Sequence, residues 1–439
     1  MLTTLKNAFK IKEIRLKLLY TLMMLVVIRI GCELPVPGVN REYFAQWYSK
    51  QLGGASGLVD AFTGGSFMNM SVFALNITPY ITSSIIMQLM TIAIPKLEEM
   101  QKEGEEGRKK IASITRYVTV GLALIESTAM AIGFGRSGLL QTFNALNVIT
   151  VIATLTAGSA VLMWFGEQIT EKGVGNGISI VLTINIISRI PQDMKSLYQQ
   201  FVKDKSIGLG TVAAVLIIAI VVGMVILVIY LNDGERKIPV QYAKKMQGRK
   251  VVGGQSTHIP LKINTAGVIP IIFASSIVEF PQVIVSLFNV KLNAFWSEFF
   301  KYLSSNQWCK FNRADIKYSI GLVVYIAMVI FFAYFYTSIT FNPLEVADNM
   351  KKNGGFIPGI RPGRPTSDYL NKILNYIIFI GACGLTIVGV LPFFFNGVFG
   401  ASVSFGGTSL IIIVSVILET IKQVESQMLV RNYRGFLNE

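Results

Sequence analysis

Residues 211–231 read "TVAAVLIIAIVVGMVILVIYL", a stretch without a single charge. At about 1.5 Å per residue, a helix of this length crosses the roughly 30 Å hydrocarbon core of a bilayer. The run does not alternate as a barrel strand does, so a transmembrane β-barrel is excluded. Comparable runs recur at 16–34, 76–94, 111–135, 148–170, 176–191, 210–231, 266–289, 318–341, 372–392 and 408–424. They predict an all-α polytopic membrane protein with about ten transmembrane helices. Composition agrees: 52% of the 439 residues are hydrophobic and only 15% are charged, which is not the profile of a soluble globular chain.

The net charge is +15. Counting loops and helix ends, the N-terminus, 95–110, 166–175, 232–264, 342–371 and the C-terminus hold about 26 Lys/Arg against about 12 on the other side. That bias puts both termini in the cytoplasm, although 189–209 and 290–317 are moderately basic and run against it. The opening "MLTTLKNAFKIKEIRLK" is basic and amphipathic, and no small-x-small cleavage site follows. It reads as a retained first helix, not a removed signal peptide. Cys32, Cys309 and Cys383 lie far apart with no C-x-x-C, so neither a disulfide framework nor a metal site is supported.

Ten spans divide into five plus five, with a polar connection near 192–209, giving an N-terminal half over 1–200 and a C-terminal half over 201–439. Such halves are often pseudo-symmetric repeats in membrane proteins. Two stretches depart from plain lipid-facing helices. "GLVDAFTGGSFMNMSVFALNITPYITSSIIMQLM", 57–90, begins with an apolar part too short to span and broken at Gly64-Gly65. Unpaired backbone in lipid costs several kcal/mol per group, so such a segment is buried in protein or lines a wet cavity. One reading is a re-entrant half-helix before a cavity-facing helix; the other is an amphipathic surface helix before an ordinary span. The second stretch, "AGVIPIIFASSIVEFPQ" at 266–282, carries two serines and Glu279. Small residues there fit close helix packing, whereas an intramembrane carboxylate points to an interior or wet path unless it snorkels at a helix end.

Catalytic motifs fail one by one. No Gly-Lys dipeptide supports a phosphate loop. "GVGNGIS" at 173–179 opens a helix and suits either an anion or a tight helix connection. "GGQSTHIP" at 253–260 brings a serine near His258 without a carboxylate partner. No catalytic residue and no cofactor is expected. What remains are two long loops, 232–264 and 342–371, the second containing "FIPGIRPGRPT" at 356–366. Pro-Gly pairs fix turns, and Arg361 and Arg364 each precede a proline, which favours extended backbone. Outward guanidinium groups suit carboxylate or phosphate partners, ribosomal RNA included.

"ADNMKKNGGFIPGIRPG", "KKMQGRKVVGGQSTHIPLKINTAGVIPIIFASS", "GEQITEKGVGNGISI", "PYITSSIIMQL" and "FGGTSLIIIV", together with "RIGCELPVPGVN", resemble the signature segments of the bacterial SecY family. The resemblance runs over essentially the whole chain. It implies two five-helix halves around a central hourglass pore, and a protein-conducting channel that passes unfolded preproteins across the cytoplasmic membrane and releases transmembrane segments sideways into lipid. By motif position it implies a pore ring of Ile81, Ile85, Ile178, Leu182, Ile272 and Ile412. A plug near 57–70 would include Leu58, Val59, Phe62, Gly64, Gly65 and Phe67. A lateral gate would involve Gln88, Ser275, Ser276 and Phe280. Arg361 and Arg364, then Lys244, Lys245, Arg249 and Lys250, would dock a motor or ribosome. Implied partners are SecE, SecG, the SecA ATPase, the ribosome, preprotein signal sequences and membrane lipids. Aliphatic side chains at a constriction exclude ions by dewetting, but isoleucines at i, i+4 also suit ordinary core packing. The competing class is a secondary transporter for small solutes, which requires a polar site at mid-membrane.

Overall fold

The computed structural model describes residues 8–41, 43–44, 46, 63–136, 138–140, 142–202, 207–242, 245–247, 250–252, 256–288, 293–303, 308–309, 316–399 and 407–435. Its helices are α1 (Lys12–Gly31), α2 (Thr78–Ala93), α3 (Pro95–Lys102), α4 (Glu105–Arg136), α5 (Ala145–Lys172), α6 (Gly177–Phe201), α7 (Ile207–Asp233), α8 (Ile269–Phe288), α9 (Ala294–Leu303), α10 (Ile320–Thr340), α11 (Pro343–Lys352), α12 (Arg364–Phe399) and α13 (Gly407–Gly435). Each apolar run read from the sequence falls on one of them. Among the described residues five helical stretches are long and apolar enough to cross a bilayer, and α2 with α3, bent by 101° at Ile94, makes a sixth if counted as one broken span. Helices α1, α6 and α13 carry charges along their length, Arg189, Asp193 and Lys195 in α6 among them, so length and apolarity alone do not reach the figure of ten.

The chain forms two compact units. One comprises Met1–Thr211, Pro281–Phe300 and Gly400–Glu439; the other comprises Val212–Phe280 and Lys301–Phe399. In the first, α4 packs on α2 and α5, and α6 on α5 and α13. Hydroxyl pairs set the register: Ser83 on α2 bonds Thr119 on α4, and Ser127 on α4 lies 2.9 Å from Thr156 on α5. Such pairs average only about 0.6 kcal/mol in membranes, so they fix alignment more than strength. Small residues allow the closest approaches; a Cβ on Gly158 of α5 would lie 2.0 Å from the Val72 carbonyl oxygen.

The second unit holds the strands: β1 (Glu235–Tyr242), β2 (Lys245–Gln247), β3 (Lys250–Val252), β4 (Ser256–Lys262) and β5 (Gly355–Phe356). β1 pairs antiparallel with β4 along its length and with β5 at Gln241 and Tyr242, giving the order β4-β1-β5. Parts of the two loops read as separate in the sequence are therefore joined in one sheet, while β2 and β3 pair as a second, two-stranded sheet. The core of the three-stranded sheet is Ile238, Val240, Leu261, Met350, Ile357, Leu370 and Ile377.

Away from the sheet, Trp308 is 1% exposed and donates its indole N–H to the Tyr302 carbonyl at 2.9 Å, with Tyr325 and Phe393 against its ring. Cys309 beside it is buried, and burial raises its thiol pKa. A raised pKa keeps the thiol protonated at any pH below it, and the thiolate is the nucleophile. Maleimide labelling of Cys309, followed by mass spectrometry, should therefore be slow near neutrality in the native protein and accelerate only above the ordinary thiol range. Rapid labelling at pH 7 would contradict this burial.

Candidate functional site

Helix α2 starts at Thr78, with Pro79 in its first turn, where a missing N–H is harmless. Its buried stripe is Pro79, Ser83, Met87 and Thr91, and Ser83 bonds α4. Ile81, Ile85 and Gln88 lie on the opposite side by helical spacing; both isoleucines are half-buried and Gln88 is exposed. Ile81 packs against the cluster of Ile28, Ile77, Leu162 and Val181, and so does Ile178 at the start of α6. These two predicted ring residues thus border the same apolar cluster. Leu182, one turn beyond Ile178, is also half-buried, whereas Ile412 on α13 is buried at 5% exposure. Ile272 belongs to the other unit, half-buried on α8 beside the buried Ile271.

The start of α6 is held rigidly. Asn176 caps it, its side-chain oxygen accepting from the Ile178 and Ser179 N–H groups at 3.2 and 3.3 Å. The Gly177 N–H donates to the Thr170 hydroxyl at 2.8 Å, and the Val174 N–H to the Thr21 hydroxyl at 3.2 Å. Of the two readings of "GVGNGIS", the structure shows the tight helix connection.

Of the plug residues, Leu58, Val59 and Phe62 lie outside the described residues. Gly64, Gly65 and Phe67 belong to a run of turns that leads into α2. Gly64 has φ +63°, and a Cβ there would come within 2.8 Å of the Asn185 carbonyl oxygen. Gly65 has φ +85°. Phe67 packs edge-on against Phe44 and Phe134, with ring centroids 5.9 and 6.5 Å away. A polar network that the sequence reading missed pins this run. Asn185 on α6 donates to the Asn76 side chain at 3.1 Å, and Ser159 on α5 donates to the Asn76 carbonyl at 3.2 Å. The Gly64 carbonyl faces Arg29 and Ser188, each at 3.5 Å. The available signal was an asparagine in each of two apolar runs, "ALNITPY" and "LTINIIS".

Among the gate residues, Ser275 on α8 is half-buried and bonds its own helix at the Ile271 and Ile272 carbonyls, 2.9 and 3.1 Å away. Ser276 and Phe280 also fall on α8; their side chains lie outside the described set. Gln88 belongs to the other unit.

Segments of both basic loops join in the β4-β1-β5 sheet. Arg361 sits between Gly359, φ +84°, and Gly363, φ +102°, both in the left-handed region where glycine is free of strain. Its side chain is exposed while its carbonyl accepts the Thr366 hydroxyl at 2.8 Å. Ile357 is buried in the sheet core and Ile360 packs against it, so the tip is anchored on apolar side chains with its arginine outside. Arg364 is exposed too but opens α12 instead of lying extended: Pro365 starts a helix there. Lys245 and Lys250 lie on β2 and β3, paired with Val252 and Gln247. Lys244 and Arg249 lie outside the described residues. His258 on β4 is exposed opposite Pro239. Among the described residues no group of His, Cys, Asp or Glu is arranged to hold a metal.

A family model described as SecY matches residues 71–421. Protein translocase subunit SecY of Streptomyces scabiei is 44% identical over 452 residues, covering 100% of both chains. Its counterpart from Halalkalibacterium halodurans is 42% identical over 446 residues, again covering 100% of both. Among solved structures, that of a protein-conducting channel aligns with a TM-score of 0.60 at 19% identity, covering 94% of this chain and 93% of that one. Sec61 in the canine ribosome–channel complex from the endoplasmic reticulum aligns at 0.57 and 17%, covering 94% and 93%. At those identities the structural likeness is one of fold.

Two glycines test how firmly the run before α2 is held. Gly64→Ala and Gly138→Ala both place a side chain at positive φ, but nothing lies within 4 Å of Gly138. The melting midpoint in detergent should fall slightly for Gly138→Ala, by about 1 kcal/mol of strain. It should fall further for Gly64→Ala, which also meets α6 backbone. Equal effects would mean that Gly64 is not packed against Asn185.

Proposed function

The chain belongs to the SecY family and is a multi-pass protein-conducting channel of the bacterial cytoplasmic membrane; we propose that Ile81, Ile85, Ile178, Leu182, Ile272 and Ile412 form its constriction. The family is one of translocation channels, not of enzymes. The observation that supports the residue assignment is the apolar cluster that both Ile81 and Ile178 border. A narrow aliphatic ring sheds water and with it ions, and it offers no fixed hydrogen-bond pattern, so unfolded chains of any sequence slide through. In this reading the two halves, 1–200 and 201–439, frame the pore. Residues 57–70 plug it from a base fixed at Gly64, Gly65 and Phe67. Gln88, Ser275, Ser276 and Phe280 line the lateral exit through which hydrophobic segments reach lipid.

The sheet is the docking platform. Arg361 and Arg364, with Lys244, Lys245, Arg249 and Lys250, present positive charge to a SecA-type motor or to a ribosome, ribosomal RNA included. SecE- and SecG-type subunits complete the complex, and both termini face the cytoplasm. A solved relative bound to a ribosome supports the ribosomal assignment. The decisive experiment reconstitutes the chain with a SecE-type subunit and SecA and measures protease-protected preprotein import. Import dependent on this chain is expected; saturable uptake of a small solute without import would overturn the reading.

Two substitutions divide the roles. Ile412→Asn introduces an amide into the ring and should raise resting ion conductance of reconstituted vesicles and relax signal-sequence stringency. Unchanged conductance would remove Ile412 from the constriction. Arg361→Glu reverses an exposed charge and should lower import several-fold while membrane levels of the protein stay normal. Wild-type import by that variant would reduce Arg361 to a topology charge.

A further inference from the structure

Helix α9, "AFWSEFFKYL", is ten residues long and so far too short to span. Phe295, Trp296, Phe299, Phe300 and Leu303 fall on one arc by 3.6-residue spacing, and Glu298 and Lys301 on the opposite one. The rings contact one another: Trp296 lies 5.8 Å from Phe295, 5.9 Å from Phe299 and 6.4 Å from Phe300 between centroids. Yet this cluster is not part of a core. Phe295 is 74% exposed, Trp296 50% and Phe299 45%. Burying three such rings is worth several kcal/mol, so leaving them in water would be a large penalty.

The position of α9 identifies what covers them. Its C-terminal turn is fixed to the start of α10: a Cβ on Gly321 would lie 1.8 Å from the Tyr302 carbonyl oxygen, and the same carbonyl accepts from Trp308. Tyr302 also packs edge-on against Tyr318 at 5.1 Å. Helix α10 lies in a stretch apolar enough to cross the bilayer, and its first turn already exposes Ile320 at 60% and Val323 at 64%. The lipid-facing surface thus begins where α9 is tied down. A short amphipathic helix with Trp, Tyr and Phe at that level has the composition of an interfacial helix, whose aromatic bodies sit among the acyl-chain ends and whose polar side stays wet.

We propose that α9 lies in the plane of the membrane surface, with Phe295, Trp296 and Phe299 inserted at the headgroup–acyl boundary of the phospholipid bilayer. The helix is then an in-plane anchor that holds the connection between α8 and α10 against the membrane.

The test uses the full chain reconstituted in phosphatidylcholine vesicles, with the Trp296 signal isolated as the difference between wild type and Trp296→Phe. Lipids brominated on the acyl chain near the headgroup should quench most of that difference emission. Lipids brominated at the chain end should quench less, and aqueous iodide little. Quenching by iodide without quenching by bromolipid would place Trp296 in water and overturn the proposal. Resistance to both quenchers would mean that another protein surface, a second copy or a partner subunit, covers the cluster, and would equally overturn it.

Discussion

Backbone polar groups surrounded by apolar helices have to find partners inside the protein, and from Gly64 to Ile77 no regular helix supplies them. Most of this run is buried. Its amides and carbonyls are satisfied piecemeal. The Val36 N–H bonds the Met70 carbonyl, the Val72 N–H bonds the Leu34 carbonyl, and the Ser66 hydroxyl serves the Thr63 and Phe73 carbonyls. Met70 and Asn76 take left-handed backbone at φ 47° and 52°, conformations that cost about 1–3 kcal/mol each and persist only where their surroundings impose them. The surroundings here are α1, α5 and α6. Because those helices must present Ser159, Asn185 and close-packing glycines to this run, their register is set by it, and with their register the faces that carry Ile178 and Leu182.

Helices were legible because an apolar run in this composition has few other solutions, and a helix lies at each expected run, although only five or six of the described ones are long and apolar enough to span. The sheet was not legible. "ERKIPVQY" buries only Ile238 and Val240, too few for a period to emerge among charged neighbours, and β5 is two residues long. Its pairing partner Gln241 is distant in sequence from Phe356, so only the folded chain reveals that parts of the two loops join in one sheet. The arginines illustrate competing local rules. A following proline disfavours helix at the residue before it, yet a proline in the first turn also favours helix initiation. At Arg364 the second rule prevails because α12 has a long apolar body to continue.

The aliphatic positions were readable as faces but not as a pore. Ile81 and Ile85 share spacing with any buried pair, and only the resemblance selected them. The structure adds that the α2 stripe bonded to α4 is the other one, Ser83 and Met87, which leaves the isoleucines on the side away from α4. Asn76 and Asn185 escaped notice because a lone asparagine in an apolar run says nothing of its partner until folding brings the two together.

The shared strand β1 has a mechanical consequence. Arg361 stands on a tip whose neighbours Ile357 and Ile360 are set in the sheet core, and β5 clips that tip to Gln241 and Tyr242 at the end of β1. The other end of the sheet is clasped at the foot of α7, where the Ile263 N–H donates to the Gly234 carbonyl at 2.9 Å. The Ile263 carbonyl in turn abuts Gly381 in α12 so closely that a Cβ there would lie 2.3 Å away. Between Arg361 and the end of β1 the described residues are held by paired strands and core side chains. Load applied there would pass along the paired strands towards α7 and α12, so the sheet couples its tip to two helices.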